Sequence, residues 1–536
     1  MYQALREFCL PLATLPLLVW LTYWGILKGQ GVSDDISPPG GILLYDGKWQ
    51  IPLSWHNVFK KFRWHAAIKP NPNKRWKENK QPAFLPNPVA HHRLNLWVFC
   101  GIGILLYLFL KQLLPESIAF LAICLWIVHP LGVQTVGWIS GIGYVFSVFF
   151  MLIGLNLVLL APQLGWTTTI LGTLGTFLLF AFCQWMAVEA QFATVGATLI
   201  LALLGQWPYA ILSGMISIYG CANTLKEAVG LRKKVFHEQQ MGQATKFYPR
   251  KLIIVIKTLF YDVKLACFPK RLGLYHTWGY HYELPYIEQE DHEWVGGILV
   301  FLLLGYGILF GSLPIQLGCV WFLAFMVLFL NWITANQFVV DRYVWLPSFG
   351  ICLLAAIWFP PVAYWILFGI ALMRTWHDQP KYLNEETYYL SNIANFPQSE
   401  VAWGNLGVTL MNRGLMGSAM DAWWRGLQLN SEYDVCSYNL SSCLKARGPL
   451  NPNYAPLLYN QLPKEIIDKA LIHDPMRGHL HLARYFLQRA VTAKTCHFPK
   501  PWEQELAQIN QELSRPVGVP MPIARLVTPL LTAALT

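Results

Sequence analysis

Three small groups of charged residues stand out in a chain that is otherwise sparing with charge: Asp34-Asp35, Glu189 and Asp341-Arg342. A carboxylate pair can do proton chemistry, one acid taking a proton from a hydroxyl as general base while its neighbour orients it or helps bind a cation. The bland alternative is a solvated turn, Ser33-Asp34-Asp35 ahead of Pro38-Pro39, and a bare dipeptide favours it. Arg342 offers a planar guanidinium able to hold a phosphate diester, with Asp341 fixing the arginine. Adjacent opposite charges followed by Tyr343 and Trp345 also make an ordinary interfacial anchor. Glu189 either pairs with a loop cation or sits in water. His91-His92 and His129-Pro130 lack metal-ligand spacing and read as structural or hydrogen-bonding groups. The eleven cysteines form no CxxC pair, and Cys100, Cys124, Cys183, Cys319 and Cys352 fall inside apolar runs, where they act as small buried hydrophobes.

The elements that hold these groups are set by composition. Of 536 residues, 55% are hydrophobic and 13% charged, too apolar for a soluble protein of this size. From 94 to 225 only Lys111, Glu116 and Glu189 are charged, and from 294 to 373 only Asp341 and Arg342. Such stretches belong in lipid, where a polar group is costly and is a functional candidate by default. At roughly 20 apolar residues per crossing, spans are expected near 8–28, 94–112, 117–135, 142–161, 167–186, 190–205, 208–222, 294–311, 315–333, 343–358 and 361–374. The first is long for a signal-peptide core and lacks a small-residue cleavage site, so it reads as an anchor. An all-α polytopic bundle of about eleven spans follows, occupying residues 1–374.

An odd number of crossings puts the long connections, 29–93 and 223–293, on one face together with the C-terminal region. The positive-inside rule barely speaks, and loops of this length translocate largely regardless of charge. Both loops and the C-terminal region are assigned to the extracytoplasmic side. Asp34-Asp35 then sits at the bilayer rim, where a lipid-linked substrate presents its headgroup. The net charge of +11 is concentrated in connecting segments, which favours anionic lipid or phosphate as partner over nucleic acid. Within the second loop, residues 251–268 alternate apolar positions with Lys257, Asp262 and Lys264 at helical spacing, as in a helix lying on the bilayer surface.

After Arg374 the composition becomes that of a soluble helical protein. Trp403, Leu406-Gly407, Leu410, Ala419, Trp423 and Gly426 follow tetratricopeptide spacing, which sets bulky residues of one helix against small ones of its partner. Further helices are expected near 385–395, 438–446, 464–473 and 479–493, about three repeats in all, within 375–515 and ahead of a tail at 516–536. A generic bundle of helical hairpins is the alternative; either offers a surface for a partner or acceptor protein.

Taken together, these segments resemble the TMTC family, the transmembrane and tetratricopeptide-repeat O-mannosyltransferases, and their bacterial relatives of the GT-C class. The likeness rests on Asp34-Asp35 after the first span, Asn87-Pro88 with His92 and Asn95, His129-Pro130 through Trp138-Ile139-Ser140-Gly141, Glu189, Asp341-Arg342-Tyr343 with Leu346-Pro347-Ser348, and the repeats. It implies an inverting transfer of sugar from a polyprenyl phosphate to a Ser or Thr hydroxyl of an extracytoplasmic protein. In that scheme Asp34 or Asp35 is the base and Arg342 the phosphate clamp. Asp341, Glu189, His92 and His129 belong to the same cavity, and Arg232, Lys233, Lys234 and Lys251 give auxiliary phosphate contacts. No cofactor is required beyond the lipid-linked donor, although the acid pair is compatible with a divalent cation. The setting implied is a bacterial inner membrane with the repeats periplasmic, or the endoplasmic reticulum with the repeats luminal. Gln134, Ile142, Tyr144 and Val188 depart from the family, which carries an acid, an Arg, an acid and a Lys there. Those losses suit a second reading, a catalytically silent membrane scaffold whose repeats assemble an envelope complex.

Overall fold

The computed structural model describes residues 2–30, 32, 88–160, 163, 172–176, 178, 191–235, 249–273, 276, 293–330, 339–447, 455–474, 477–493 and 499–515. Among these every regular element is a helix, as expected where long apolar runs must satisfy their own backbone groups. In the N-terminal part the helices are α1 (Tyr2–Tyr23), α2 (Pro88–Leu110), α3 (Glu116–Ile127), α4 (Gly132–Gly137), α5 (Ile142–Leu160) and α6 (Gln191–Leu203). They are followed by α7 (Trp207–Val235), α8 (Pro249–Cys267), α9 (Glu293–Phe310), α10 (Leu313–Met326), α11 (Asp341–Trp358) and α12 (Pro361–Asp378).

Among the described residues four segments are long and apolar enough to cross a membrane: Leu10–Lys28, Val89–Leu110, Ile142–Leu160 and Glu293–Phe310. Three further apolar helices, Glu116–Ile127, Phe192–Leu203 and Leu313–Phe329, are shorter. Of the expected series of about eleven crossings, four reach full length among the described residues and the one near 167–186 lies mostly outside them; local chemistry shows why some others fall short. The first loop of backbone after α3 begins at His129-Pro130, because proline cannot continue a helix. The chain leaves α6 through Gly205 at φ +70°, a left-handed turn that glycine adopts without strain. Helices α11 and α12 carry charge at their ends, Asp341 and Arg342 on one, Arg374 and Asp378 on the other.

Several helices turn large apolar side chains outward. On α9 Leu299, Leu302, Leu303, Tyr306 and Phe310 are exposed; on α12 Val362, Trp365, Ile366, Ile370 and Met373; on α7 Trp207, Ile211, Met215 and Ile218. The spacing of three or four residues makes each set a continuous stripe, and stripes of this extent mark contact with lipid or another apolar surface.

The interior is held by close approaches and by indoles acting as donors. A Cβ built on Gly350 of α11 would lie 2.3 Å from the Gly318 carbonyl oxygen of α10, so the two helices cross backbone to backbone, as small residues permit. Pro347 removes a backbone N–H from α11. Beside it the Trp126 and Trp321 indole N–H groups donate to the carbonyls of Trp345 (2.9 Å) and Leu346 (3.0 Å), and Trp126 stacks on Trp345 with centroids 5.0 Å apart. The exposed carbonyls at the end of α3 are taken by side chains from elsewhere: Tyr23 donates to Ile127 O (2.9 Å) and Thr375 to Val128 O (2.7 Å).

Beyond α12 a 3-10 turn at Gln379–Tyr382 leads to α13 (Glu385–Asn395), α14 (Glu400–Asn412), α15 (Met416–Leu429), α16 (Asp434–Arg447), α17 (Pro456–Gln461), α18 (Lys464–Asp468), α19 (Gly478–Thr492) and α20 (Pro499–Leu513). Asn384 and Thr387 cap α13 reciprocally. Helices α14 and α15 form a hairpin, turned by Gly414 at φ +77°. Trp423 of α15 inserts into the notch left by Gly407, where a Cβ would fall 2.3 Å from the indole nitrogen, and donates to the Gly404 carbonyl at 3.0 Å. The large-against-small pairing expected from the sequence is seen at this hairpin. The next one differs: α16 packs against α19, with the short α17 and α18 inserted between them, so helices adjacent in space are no longer adjacent in sequence.

Candidate functional site

The first turn of α11 places Asp341 and Arg342 in the interior, 2% and 8% exposed. Their side chains go to different partners. The Asp341 carboxylate accepts from His276 Nε2 at 2.8 Å, and His276 Nδ1 lies 3.1 Å from the Tyr261 hydroxyl of α8. With Nε2–H donated to the carboxylate, Nδ1 accepts from the tyrosine. A buried relay Tyr261–His276–Asp341 results. The expectation that Asp341 fixes the Arg342 guanidinium is thereby corrected: once both are buried, the carboxylate's nearest donor is an imidazole arriving from another segment.

Arg342 is held through its backbone, its N–H donating to Gln134 Oε1 of α4 at 2.8 Å. Its guanidinium lies against three rings, 4.8 Å from the centroid of Trp138, 4.9 Å from Tyr343 and 6.0 Å from Tyr144, distances at which a cation is attracted to a π face. Two buried N–H donors on these neighbours have no acceptor among the described residues: Nε1 of Trp138, whose ring faces the guanidinium, and Nε2 of Gln134, whose Oε1 takes the Arg342 backbone N–H. Leaving such donors unmade costs about 1–3 kcal/mol each, so both N–H groups call for an acceptor, and next to an arginine an anion is the kind that suits them. Gln134, at a position where the resemblance leads one to expect an acid, thus both positions the Arg342 backbone and adds a donor.

A small cleft opens alongside, lined by Gln134, Asp341, Asp378, Lys381, Tyr382 and Asn392, among others. It has room for about one water. Asp378 is buried and gathers Lys381 Nζ at 2.8 Å, Arg374 Nε at 3.0 Å and His377 Nδ1 at 3.0 Å. The C-terminal helices close the cleft, and Asn395 of α13 donates to the Leu272 carbonyl at 2.8 Å.

The chain leaving α1 is pinned at the same place. The Gln30 N–H donates to the Leu383 carbonyl (2.9 Å), and Gly29 approaches the Tyr382 carbonyl and His92 so closely that a Cβ would lie 2.6 Å and 3.4 Å from them. His92 is buried there. Asp34 and Asp35, a few residues further on, and Glu189 lie outside the described residues. Among the described residues no set of His, Cys, Asp or Glu is grouped to hold a metal.

His129 has both nitrogens engaged with backbone. Nδ1 accepts from the Leu131 N–H at 3.4 Å, which leaves Nε2–H to donate to the Ala266 carbonyl at 2.9 Å. It ties α3 to α8 instead of facing the cleft, in keeping with the structural reading of its His-Pro pair. Arg232, Lys233 and Lys234 fall on the last turns of α7 and Lys251 on the first turns of α8, and their side chains lie outside the described ones. Helix α8 runs from 249 to 267, close to the amphipathic stretch expected; it exposes Leu252 and Ile253 and buries Asp262, whose carboxyl is pushed well up by desolvation.

His276, Tyr261, Trp138, Asp378 and Lys381 are members of this site that spacing alone misses. His276 stands 65 residues from its partner, and no local period links them. Only the run from His129 to Gly141, on which the resemblance partly rests, pointed to Trp138. Set against models of protein families, curated proteins and solved structures, the chain matches none.

Proposed function

We propose that the chain is a polytopic membrane protein of GT-C type that transfers a sugar from a polyprenyl phosphate to a Ser or Thr hydroxyl of an extracytoplasmic protein, recruited by tetratricopeptide-like C-terminal helices. The shorter apolar helices α3, α6 and α10 join the four long ones as spans, with outward apolar stripes against lipid, in a bacterial inner membrane. The observation that carries the reading is the neighbourhood of Arg342: a buried guanidinium over the Trp138 ring and a backbone N–H on Gln134 Oε1, with the Trp138 Nε1–H and Gln134 Nε2–H groups left without an acceptor among the described residues. An anionic phosphate supplies acceptors to both N–H groups next to a cation, and charge-assisted bonds to it are the strong kind.

The acid pair is within reach. Asp34 follows Gln30 by four residues, a span of at most about 14 Å, and Gln30 is fixed at the cleft's edge. In the reaction Asp34 or Asp35 removes the proton of the acceptor hydroxyl, whose oxygen attacks the anomeric carbon with inversion. The bond to phosphate breaks, and the negative charge gathering on the departing polyprenyl phosphate is stabilised by Arg342, Gln134 and Trp138.

A second reading, the silent scaffold, is favoured by a different observation: rings of Trp138, Tyr144 and Tyr343 cover Arg342, and the cleft holds about one water. One experiment separates the two. Intact masses of envelope proteins are compared in cells carrying the wild type, Asp34→Asn, Asp35→Asn, Arg342→Gln or a deletion of 375–515. Transfer requires glycan loss in at least one acid variant and in Arg342→Gln. Unchanged glycans in all three, together with a defect on deletion of 375–515, assign the scaffold.

A further inference from the structure

The C-terminal helices carry a second recess, remote in sequence from the cleft. Along the outer side of α19 runs a groove of about 510 Å³, bounded by Glu465 and Ile466 of α18 on one side and Asn510 of α20 on the other. Its floor is the α19 face carrying His481, Arg484, Tyr485, Gln488, Arg489 and Thr492, positions three or four apart that line up on one side of a helix. That row rises about 16 Å along the axis, the length of about five residues of extended peptide.

Its charge is a local excess. Residues 385–515 contain twelve Lys or Arg and twelve Asp or Glu, a neutral balance, yet among the described residues lining the groove Arg484 and Arg489 face the one acid Glu465, while His481 is bonded to Asp474. The basic side chains differ in how they are held. Arg489 is fixed in place, Nη1 donating to the Tyr485 hydroxyl at 3.2 Å and Nη2 to the Ser431 carbonyl at 3.1 Å. His481 is anchored by Nε2 to Asp474 at 3.0 Å, and its buried Nδ1 has no hydrogen-bond partner among the described residues. Arg484 makes no ion pair with any described residue. A fixed guanidinium beside an uncommitted one is suited to carboxylates, while Gln488, Thr492 and Asn510 can serve the amides of a backbone. Nucleic acid fits less well: Tyr485 is the one aromatic residue lining the groove, too little for a series of stacked bases. The chain's own tail from 516 to 536 contains Arg525 and no acid, so charge does not favour it as occupant.

We propose that this groove docks an extended acidic segment, about five residues long and rich in Asp and Glu, of a partner protein. The inference rests on the reading of the C-terminal helices as the recruiting part and names the chemistry of what they recruit.

The test uses the full chain in detergent and fluorescent twelve-residue probes: a Glu/Asp-rich peptide, a Gln/Ser peptide, a Lys-rich peptide and a single-stranded oligonucleotide of matched charge. Anisotropy should report saturable binding of the acidic peptide alone, weakening with salt, and about tenfold weaker in Arg484→Glu. Gln488→Glu, at an exposed site on the same row, should weaken it in the same direction and guards against misfolding of the arginine variant. Equal binding of the neutral peptide or the oligonucleotide, or acidic-peptide binding unchanged in both variants, overturns the proposal. So does binding that emerges only after Glu288, Glu290 and Asp291 of the chain's own loop are replaced by Ala. Glycan transfer that persists on other partners would leave the membrane reaction standing while the groove assignment falls.

Discussion

At the scale of single residues, the site is organised by what burial does to charge. Asp341 is enclosed and stays paired because His276 reaches it at 2.8 Å; an isolated buried carboxylate would be far more costly than the pair. Replacing His276 by Ala strips that donor and should destabilise the protein by about 3 kcal/mol, read as a lower thermal midpoint in detergent. His276→Asn, which keeps an N–H, should recover part of the loss. An unchanged midpoint in His276→Ala would mean that the relay has no structural weight. Arg342 was legible in the sequence because an arginine in so apolar a stretch needs a reason. Its surroundings were not, since Gln134 and Trp138 are uncharged and become notable only when the fold sets them against Arg342 with N–H groups that have no acceptor among the described residues. Gln134, uncharged where the resemblance led to the expectation of an acid, accepts from the Arg342 backbone N–H, a role that residue type alone does not reveal.

At the scale of elements, helix positions followed from hydropathy and punctuation. Residues 385–395 and the start of α18 at 464 were expected where they occur, because soluble helices are bounded by caps and prolines that act locally. Pairing was less legible. That α16 packs on α19 across two short intervening helices depends on tertiary contacts with no local period. Close approach of α10 and α11 is similarly a property of two distant glycines. Gly350→Ala forces a Cβ to 2.3 Å from the Gly318 oxygen, whereas a Cβ at Gly305 of α9 meets nothing within 4 Å. Overpacking of a tight site costs about 1–3 kcal/mol, so Gly350→Ala should lower the midpoint in detergent and Gly305→Ala should leave it in place. Equal effects would show that the two helices do not cross at these glycines.

At the scale of the whole molecule, the proposed reading sets apolar stripes on α7, α9 and α12 against lipid and a charge-balanced C-terminal region in water. Acid should act on the second part. Burial holds the His479 imidazole below its ordinary value, so the folded form binds fewer protons, and stability declines as pH falls below about 6.5. Asp474 adds to this at lower pH: desolvation raises its carboxyl, but bonds from His481 and Arg477 outweigh that and keep it below the usual carboxylate value. Its contribution is present above about pH 3.9 and is lost below it. Circular-dichroism melts should show a midpoint that drops between pH 7 and 5 and drops less in His479→Gln; a midpoint flat across that range contradicts the assignment. The membrane part turns on whether the donor set at Arg342 receives a phosphate. The most direct measurement is photo-crosslinking of a short polyprenyl phosphate bearing a diazirine to the full chain in nanodiscs, mapped by mass spectrometry. The expected result is label between Gln134 and Tyr144 or on the first turn of α11, reduced about tenfold in Arg342→Gln; label elsewhere, or equal label in the variant, would contradict the account.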